Sequence, residues 1–202
     1  MRSSLAAPFA TLIVACLAVP VVQGAYVVNV VQSGLNVVAS GSGTLNLTAL
    51  TNFGTGSGQP GVFPTNGNLG VGVAAGDTGY DSISGPSSFG SGPFVAASSA
   101  TGSYVQLGLG AGGFYVAQSY VSGTQTSGTA TWNNTTIAAL GLTPGTYTYT
   151  WGGGATADSF TVNIGTSPTA TPAPSSLYLA AMAVLLLAAW QLVRMRKSDS
   201  HE

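Results

Sequence analysis

Between residues 146 and 164 apolar and polar side chains alternate one for one. Tyr147, Tyr149 and Trp151 are spaced by Thr146, Thr148 and Thr150, and after Gly152-Gly153-Gly154 the residues Phe160, Val162 and Ile164 alternate with Ser159, Thr161 and Asn163. Successive side chains of a strand point to opposite faces, so each run predicts a strand with one apolar face, and the glycines predict the turn of a hairpin. Near the other end, segments 26–31 and 35–39 are rich in β-branched residues and are joined across Gln32-Ser33-Gly34, which predicts a first hairpin. Shorter strands are expected at 94–97, 104–109, 113–117 and 124–132. Segment 44–47 is expected to be extended too, with Leu45 and Leu47 on one face. Segments 52–68 and 76–89 are too broken by Gly, Pro and polar residues to suggest a regular element. Glycines interrupt any 3.6-residue pattern, so the expected class is all-β, a sandwich or jelly-roll-like body over residues 25–165. In Leu140-Gly141-Leu142-Thr143-Pro144-Gly145-Thr146-Tyr147 the spacing matches a tyrosine corner, in which the Tyr hydroxyl bonds a backbone carbonyl a few residues upstream.

The two ends follow a different pattern. Residues 1–24 have Arg2 at the start, an apolar helical stretch over 5–22 and Pro20 before small residues, which predicts a secretory signal peptide cut between Gly24 and Ala25. Ile13-Val14-Ala15-Cys16 has the residue types of a lipoprotein box, but apolar 17–22 follows where a lipoprotein turns polar. With the cut after Gly24 the mature chain has no cysteine and forms no disulfide. Residues 177–193 are an apolar run of about 17 residues, ~26 Å as a helix, enough to span a bilayer. Arg194, Arg196 and Lys197 follow it and would stay on the cytoplasmic side. That orientation puts the body outside, a stiff Pro/Thr linker at 166–174 between body and membrane, and residues 198–202 in the cytoplasm.

The segment Pro172-Ala173-Pro174-Ser175-Ser176, the single hydrophobic helix and the basic end together resemble the C-terminal sorting signal of the PEP-CTERM family, over residues 172–197. Ala173 stands where that family usually has Glu, Met195 interrupts the basic cluster, and a polar tail follows. The resemblance implies export in a Gram-negative bacterium and cleavage near residues 172–176 by an exosortase-type sorting protease. Segment 140–165 looks like the terminal segment of a β-rich body recurrent in the same family, and Ser42-Gly43-Thr44-Leu45-Asn46-Leu47 looks like its opening region. Those bodies have no assigned activity.

Charge narrows the function further. Only 4% of residues are charged, against about a quarter in ordinary domains. No Lys or Arg occurs between Ser3 and Val193, and the carboxyl side chains there are Asp77, Asp81 and Asp158. A surface without cations cannot neutralise phosphates, so nucleic acid is not an expected partner. The body holds no His, Lys, Arg, Cys or Glu, and His201 lies beyond the apolar run. Ser-His-Asp, Cys-His and Ser-Lys arrangements therefore cannot be assembled, and neither catalysis nor a cofactor is expected. Asp77-Thr78-Gly79-Tyr80-Asp81 offers two hard oxygens for calcium, though Asp and Gly are also ordinary turn formers, the simpler reading. Asp158 is expected to be a turn residue or a partner for backbone amides. The face of Tyr147, Tyr149 and Trp151 could stack on sugar rings, but a chain this poor in large side chains needs them in its core. Trp132, Tyr115 and Tyr120 stay uncommitted. Together with the resemblance to PEP-CTERM proteins, which implies the matrix setting and the sorting protease, the expected function is an exported noncatalytic cell-surface or exopolysaccharide-matrix protein sorted by that signal, with the membrane, an exosortase-type protease and extracellular polysaccharide as partners. The alternative is a surface-anchored carbohydrate-binding module.

Overall fold

A computed structural model describes residues 24–74, 76–108 and 113–165, all within the first of the chain's two units, Met1–Thr166. The expected signal helix, linker, sorting motif Pro172 to Ser176, membrane helix 177–193, basic cluster Arg194, Arg196 and Lys197, and tail lie outside the described residues. Among the described residues no helix is long and apolar enough to cross a membrane.

Thirteen strands form two sheets, with only two short 3-10 turns, Pro64–Asn66 and Gly154–Thr156, as helical elements among the described residues. In chain order the strands are β1 (Ala25–Ser33), β2 (Asn36–Gly43), β3 (Thr51–Ser57), β4 (Gly61–Phe63), β5 (Asn68–Val71), β6 (Gly76–Asp81) and β7 (Val95–Ala96). They continue as β8 (Ser99–Gly102), β9 (Val105–Gly108), β10 (Gly113–Ala117), β11 (Thr126–Trp132), β12 (Gly145–Trp151) and β13 (Asp158–Ile164). One sheet has the order β12-β13-β1-β2-β11-β8 and the other β3-β6-β10-β9-β5-β4-β7. Both expected hairpins are present. β1 and β2 turn at Gly34 and Leu35, with Ser33 opposite Asn36 and Gly34 at φ +59°; β12 and β13 pair from Trp151 opposite Asp158 to Gly145 opposite Ile164. β1 also pairs β13 in parallel, so the first and last strands of the body lie side by side.

Alternation sends Tyr26, Val28 and Val30, Tyr149 and Trp151, and Phe160, Val162 and Ile164 into one apolar core. The opposing sheet supplies Leu69, Val105, Leu107, Phe114 and Val116, and the rings of Phe114 and Trp151 meet with centroids 5.2 Å apart. Each large side chain so buried contributes about 1.5–3 kcal/mol relative to exposure. The buried indoles are partnered as well: Trp132 Nε1 donates to the Val95 carbonyl at 3.1 Å and Trp151 Nε1 to that of Asn46 at 2.8 Å. Tyr147 is partly buried at the rim, where its hydroxyl donates to the Thr143 carbonyl at 2.9 Å, the bond a tyrosine corner requires.

Segments 44–47, 52–68 and 76–89 differ from the expectation, and β8 is a strand where none is expected. Residues 44–47 pair in no strand; Leu45 is buried, but the backbone is held by side chains, with Leu45 N donating to Tyr120 Oη at 2.8 Å and Asn46 N to Asp158 Oδ2 at 2.5 Å. Segment 52–68 holds the rest of β3, all of β4 and the start of β5, and segment 76–89 holds β6. β3 is exposed along its length and is held by pairing to β6 through its backbone, so its side chains carry no apolar alternation to betray it.

Candidate functional site

The outer face of the seven-stranded sheet carries the site. β3 lies at one edge and β4 is five places away, yet only Gly58, Gln59 and Pro60 connect them. Four residue steps reach ~14 Å, whereas five flat strand spacings would need ~24 Å. The sheet must therefore curl, and the connection crosses the concave outer face as a strap. Under it lies Tyr104, which is buried outside the central core; a Cβ on Gly58 would stand 1.9 Å from the Tyr104 hydroxyl, so the strap closes down only with glycine there. Gly70 is similarly pressed, its Cβ position 3.3 Å from the Gln59 carbonyl oxygen.

Between strap and strands is a cleft of about 490 Å³ lined by, among others, Asp77, Tyr115, Gln106, Asn68 and Phe94. Its polar wall is a fixed chain of hydrogen bonds. The Tyr104 hydroxyl donates to Gln106 Oε1, and Gln106 Nε2 donates to Asn68 Oδ1 at 3.0 Å. Burial, with Asp77 a smaller contributor, raises the Tyr104 pKa, so the phenol keeps its proton and stays a donor. With Tyr104 and Gln106 donating to their oxygens, Gln106 and Asn68 hold amide N–H groups toward the cleft.

The aromatic surface depends on two local devices. Opposite β6, the register slips between Asn52 and Gly54, so Phe53 is the extra residue of a β-bulge and is turned onto the outer face. There it lies over Gly79, whose Cβ would be 2.4 Å from the Phe53 ring and 3.0 Å from that of Tyr115. The two rings meet edge to face, centroids 5.6 Å apart at 88°. Phe94 rests on Gly61 in the same way, 2.7 Å from its Cβ position. Phe53 and Phe94 remain 45% and 44% exposed, large apolar surfaces held in fixed orientation but left open.

Asp77 sits on β6 and is 2% exposed. Among the described residues three buried side-chain oxygens have no hydrogen-bond partner: Tyr26 Oη, Tyr149 Oη and Asp77 Oδ1. Burial pushes both phenols above their ordinary pKa; Asp77 is the one carboxyl group of the three, and the one in the cleft. Asp81 follows four residues along the same strand, ~13 Å away at strand rise, and accepts from Ser82 Oγ at 3.0 Å. The pair thus stands on a strand rather than a loop and does not converge on a common calcium position. No group of three or more His, Cys, Asp or Glu occurs among the described residues.

The other sequence-selected residues fall elsewhere. Tyr149 and Trp151 are core, so the strip expected as the alternative sugar platform is closed to ligand. Tyr120 is a structural hub, its hydroxyl accepting from Leu45 N and lying 2.9 Å from the Thr124 carbonyl. Asp158 accepts from Asn46 N and from Ser159 N at 2.6 Å, the amide-partner role. Gly24 and Ala25, at the expected signal-peptide cut, border the start of β1. Sequence reasoning missed Phe53, Phe94, Gln106 and Asn68 as site residues; the aromatics beside glycines were the available signal. No family model matches the chain, nor does any curated protein or solved structure.

Proposed function

We propose that the chain is an exported, noncatalytic β-sandwich protein of the cell surface or exopolysaccharide matrix, and that the curled sheet docks a polysaccharide in the cleft at Asp77. One observation carries this reading: rigid, exposed aromatic rings beside a wall of oriented amides and one buried carboxyl group, with no nucleophile activator nearby. Rings of this kind cover the apolar face of a sugar while amides and a carboxylate take its hydroxyls, the division of labour typical of small-molecule sites. The parallel pairing of β1 with β13 departs from an all-antiparallel jelly roll, which favours the simple sandwich. Delivery rests on the signal peptide and the PEP-CTERM-like tail, with an exosortase-type protease removing the membrane helix. A surface-anchored carbohydrate-binding module and a matrix protein then become one molecule.

A glycan array probed with the full chain tests the proposal. Binding to at least one polysaccharide class is expected, weakened by about tenfold or more in Phe53→Ala and Tyr115→Ala, while Tyr120→Phe leaves it unchanged. Binding that survives loss of both rings would remove the cleft from the function.

A further inference from the structure

Asp77 is a buried carboxyl group with an unpartnered oxygen in a body that has no cation to offer it. Between Ser3 and Val193 there is no Lys, Arg or His, so no side chain of the body can neutralise it. A carboxylate taken out of water without a counter-charge is among the costlier things a fold can hold, and such groups are normally paired or bound to a metal. Its neighbours do not relieve it. Gly56 stands beside Oδ1, its Cβ position 3.0 Å away, and presents only backbone; the Tyr104 hydroxyl is spent on Gln106.

Calcium is a poor answer, because it wants six to eight oxygens. Asp81 is too far along the strand to join Asp77, and no group of three or more His, Cys, Asp or Glu occurs among the described residues to share such an ion. Neutral hydroxyls would satisfy the hydrogen bonding of Asp77 but not its charge. A primary ammonium does both, and it gains further from the face of an aromatic ring such as Tyr115, which lines the same cleft.

We propose that the cleft selects glycans bearing free amino groups, that is, de-N-acetylated amino sugars, with Asp77 receiving the ammonium. This rests on the glycan-docking reading and specifies its ligand. Acetylation of the amine removes the charge and adds bulk at the carboxylate, so the N-acetylated polymer is disfavoured, and uronate or sulfated glycans are repelled by a body whose ionised side chains are all carboxylates.

The test is isothermal titration calorimetry of the full chain in detergent with three ligands of equal length: glucosamine oligomers, N-acetylglucosamine oligomers and glucose oligomers. Glucosamine oligomers are expected to bind about tenfold or more tighter than either of the others, with the advantage shrinking as salt is raised. In Asp77→Asn, checked for folding by circular dichroism, that preference is expected to vanish while weak binding through the rings remains. Should the variant not fold, the comparison of acetylated with free amine on the wild-type chain decides alone. Equal binding of the three ligands overturns the amine preference and leaves glycan docking standing, whereas binding of none overturns both. Binding that requires added calcium and is lost with a chelator replaces the ammonium by a metal.

Discussion

Replacing Tyr147 by Phe removes one oxygen and nothing else, which makes it a clean measure of the corner that ties β12 to the segment before it. The lost interaction is the 2.9 Å hydrogen bond to the Thr143 carbonyl. A net intramolecular hydrogen bond is worth about 0.5–1.5 kcal/mol. Thr143 is exposed and Tyr147 only partly buried, so water reaches the abandoned carbonyl and the lower half of that range applies. The ring is retained, and with it the edge-to-face contact with Phe89 at 5.7 Å. Tyr147→Ala discards that packing as well and should cost about 3 kcal/mol or more. For a body of this size 1 kcal/mol moves the melting temperature by roughly 2–8 °C. Urea titrations of wild type, Tyr147→Phe and Tyr147→Ala, with unchanged m values, give the three stabilities directly. A Phe variant indistinguishable from wild type would refute the corner bond, and a Phe variant as unstable as Ala would show that the hydroxyl, not the ring, does the holding.

Other expectations concern charge, sterics and processing. Burial outweighs the two amide bonds and raises the Asp158 pKa, so its stabilising contribution is full below the unfolded pKa and is lost as pH rises through the folded one. Followed across the carboxylate range, melting temperatures of the uncleaved chain, in which Gly24 still borders Asp158, should therefore show a gain on acidification that Asp158→Asn lacks; parallel profiles would contradict this. Gly43→Ala, at φ +144° with its Cβ 1.9 Å from the Ala25 carbonyl oxygen, should destabilise by about 2 kcal/mol or more. Gly34→Ala, at φ +59° with open space around it, should cost only about 1 kcal/mol, and equal urea midpoints for the two would rule out the clash. In native cells, mass spectrometry should find the mature protein without residues 177–197. Abundant peptides running from the linker through Trp190 into Arg194 would instead mean a permanent anchor, which Ala173→Glu should convert to a cleaved product.

The parts of the fold legible in the sequence are those whose side chains alternate between a core and water. The runs Thr146 to Trp151 and Ser159 to Ile164 show their strands because one face is aromatic or aliphatic and the other is Thr, Ser or Asn. β3 and β6 are built on another principle. Their ladder is backbone, one of them faces solvent throughout, and the glycines that resemble loop punctuation are there so that rings can lie flat on the sheet. The same inversion hid the cleft. Asp77 beside Gly76 has the composition of a turn, and Phe53 projects outward because of a bulge that only the pairing partner defines. The cleft residues come from five strands, the strap, the 3-10 turn at Asn66 and the loop at Phe94, brought together by curvature that no local window contains. What could be inferred at a distance was chemical: the absence of bases and nucleophiles, and the lack of any internal cation for a carboxylate.

The neighbourly arrangement of β1 and β13 also sets how the body answers a pull. The six registered pairs from Ala25 with Ser159 to Val30 with Ile164 run in parallel, so the chain enters at one end of this ladder and leaves at the other. Tension drawn between Ala25 and Gly165 therefore acts along the strands and in opposite senses on the two. Every bond of the ladder bears the load at once, as in a lap joint, instead of opening one after another like a zip. A body pulled between those two ends meets the stress in its stiffest direction.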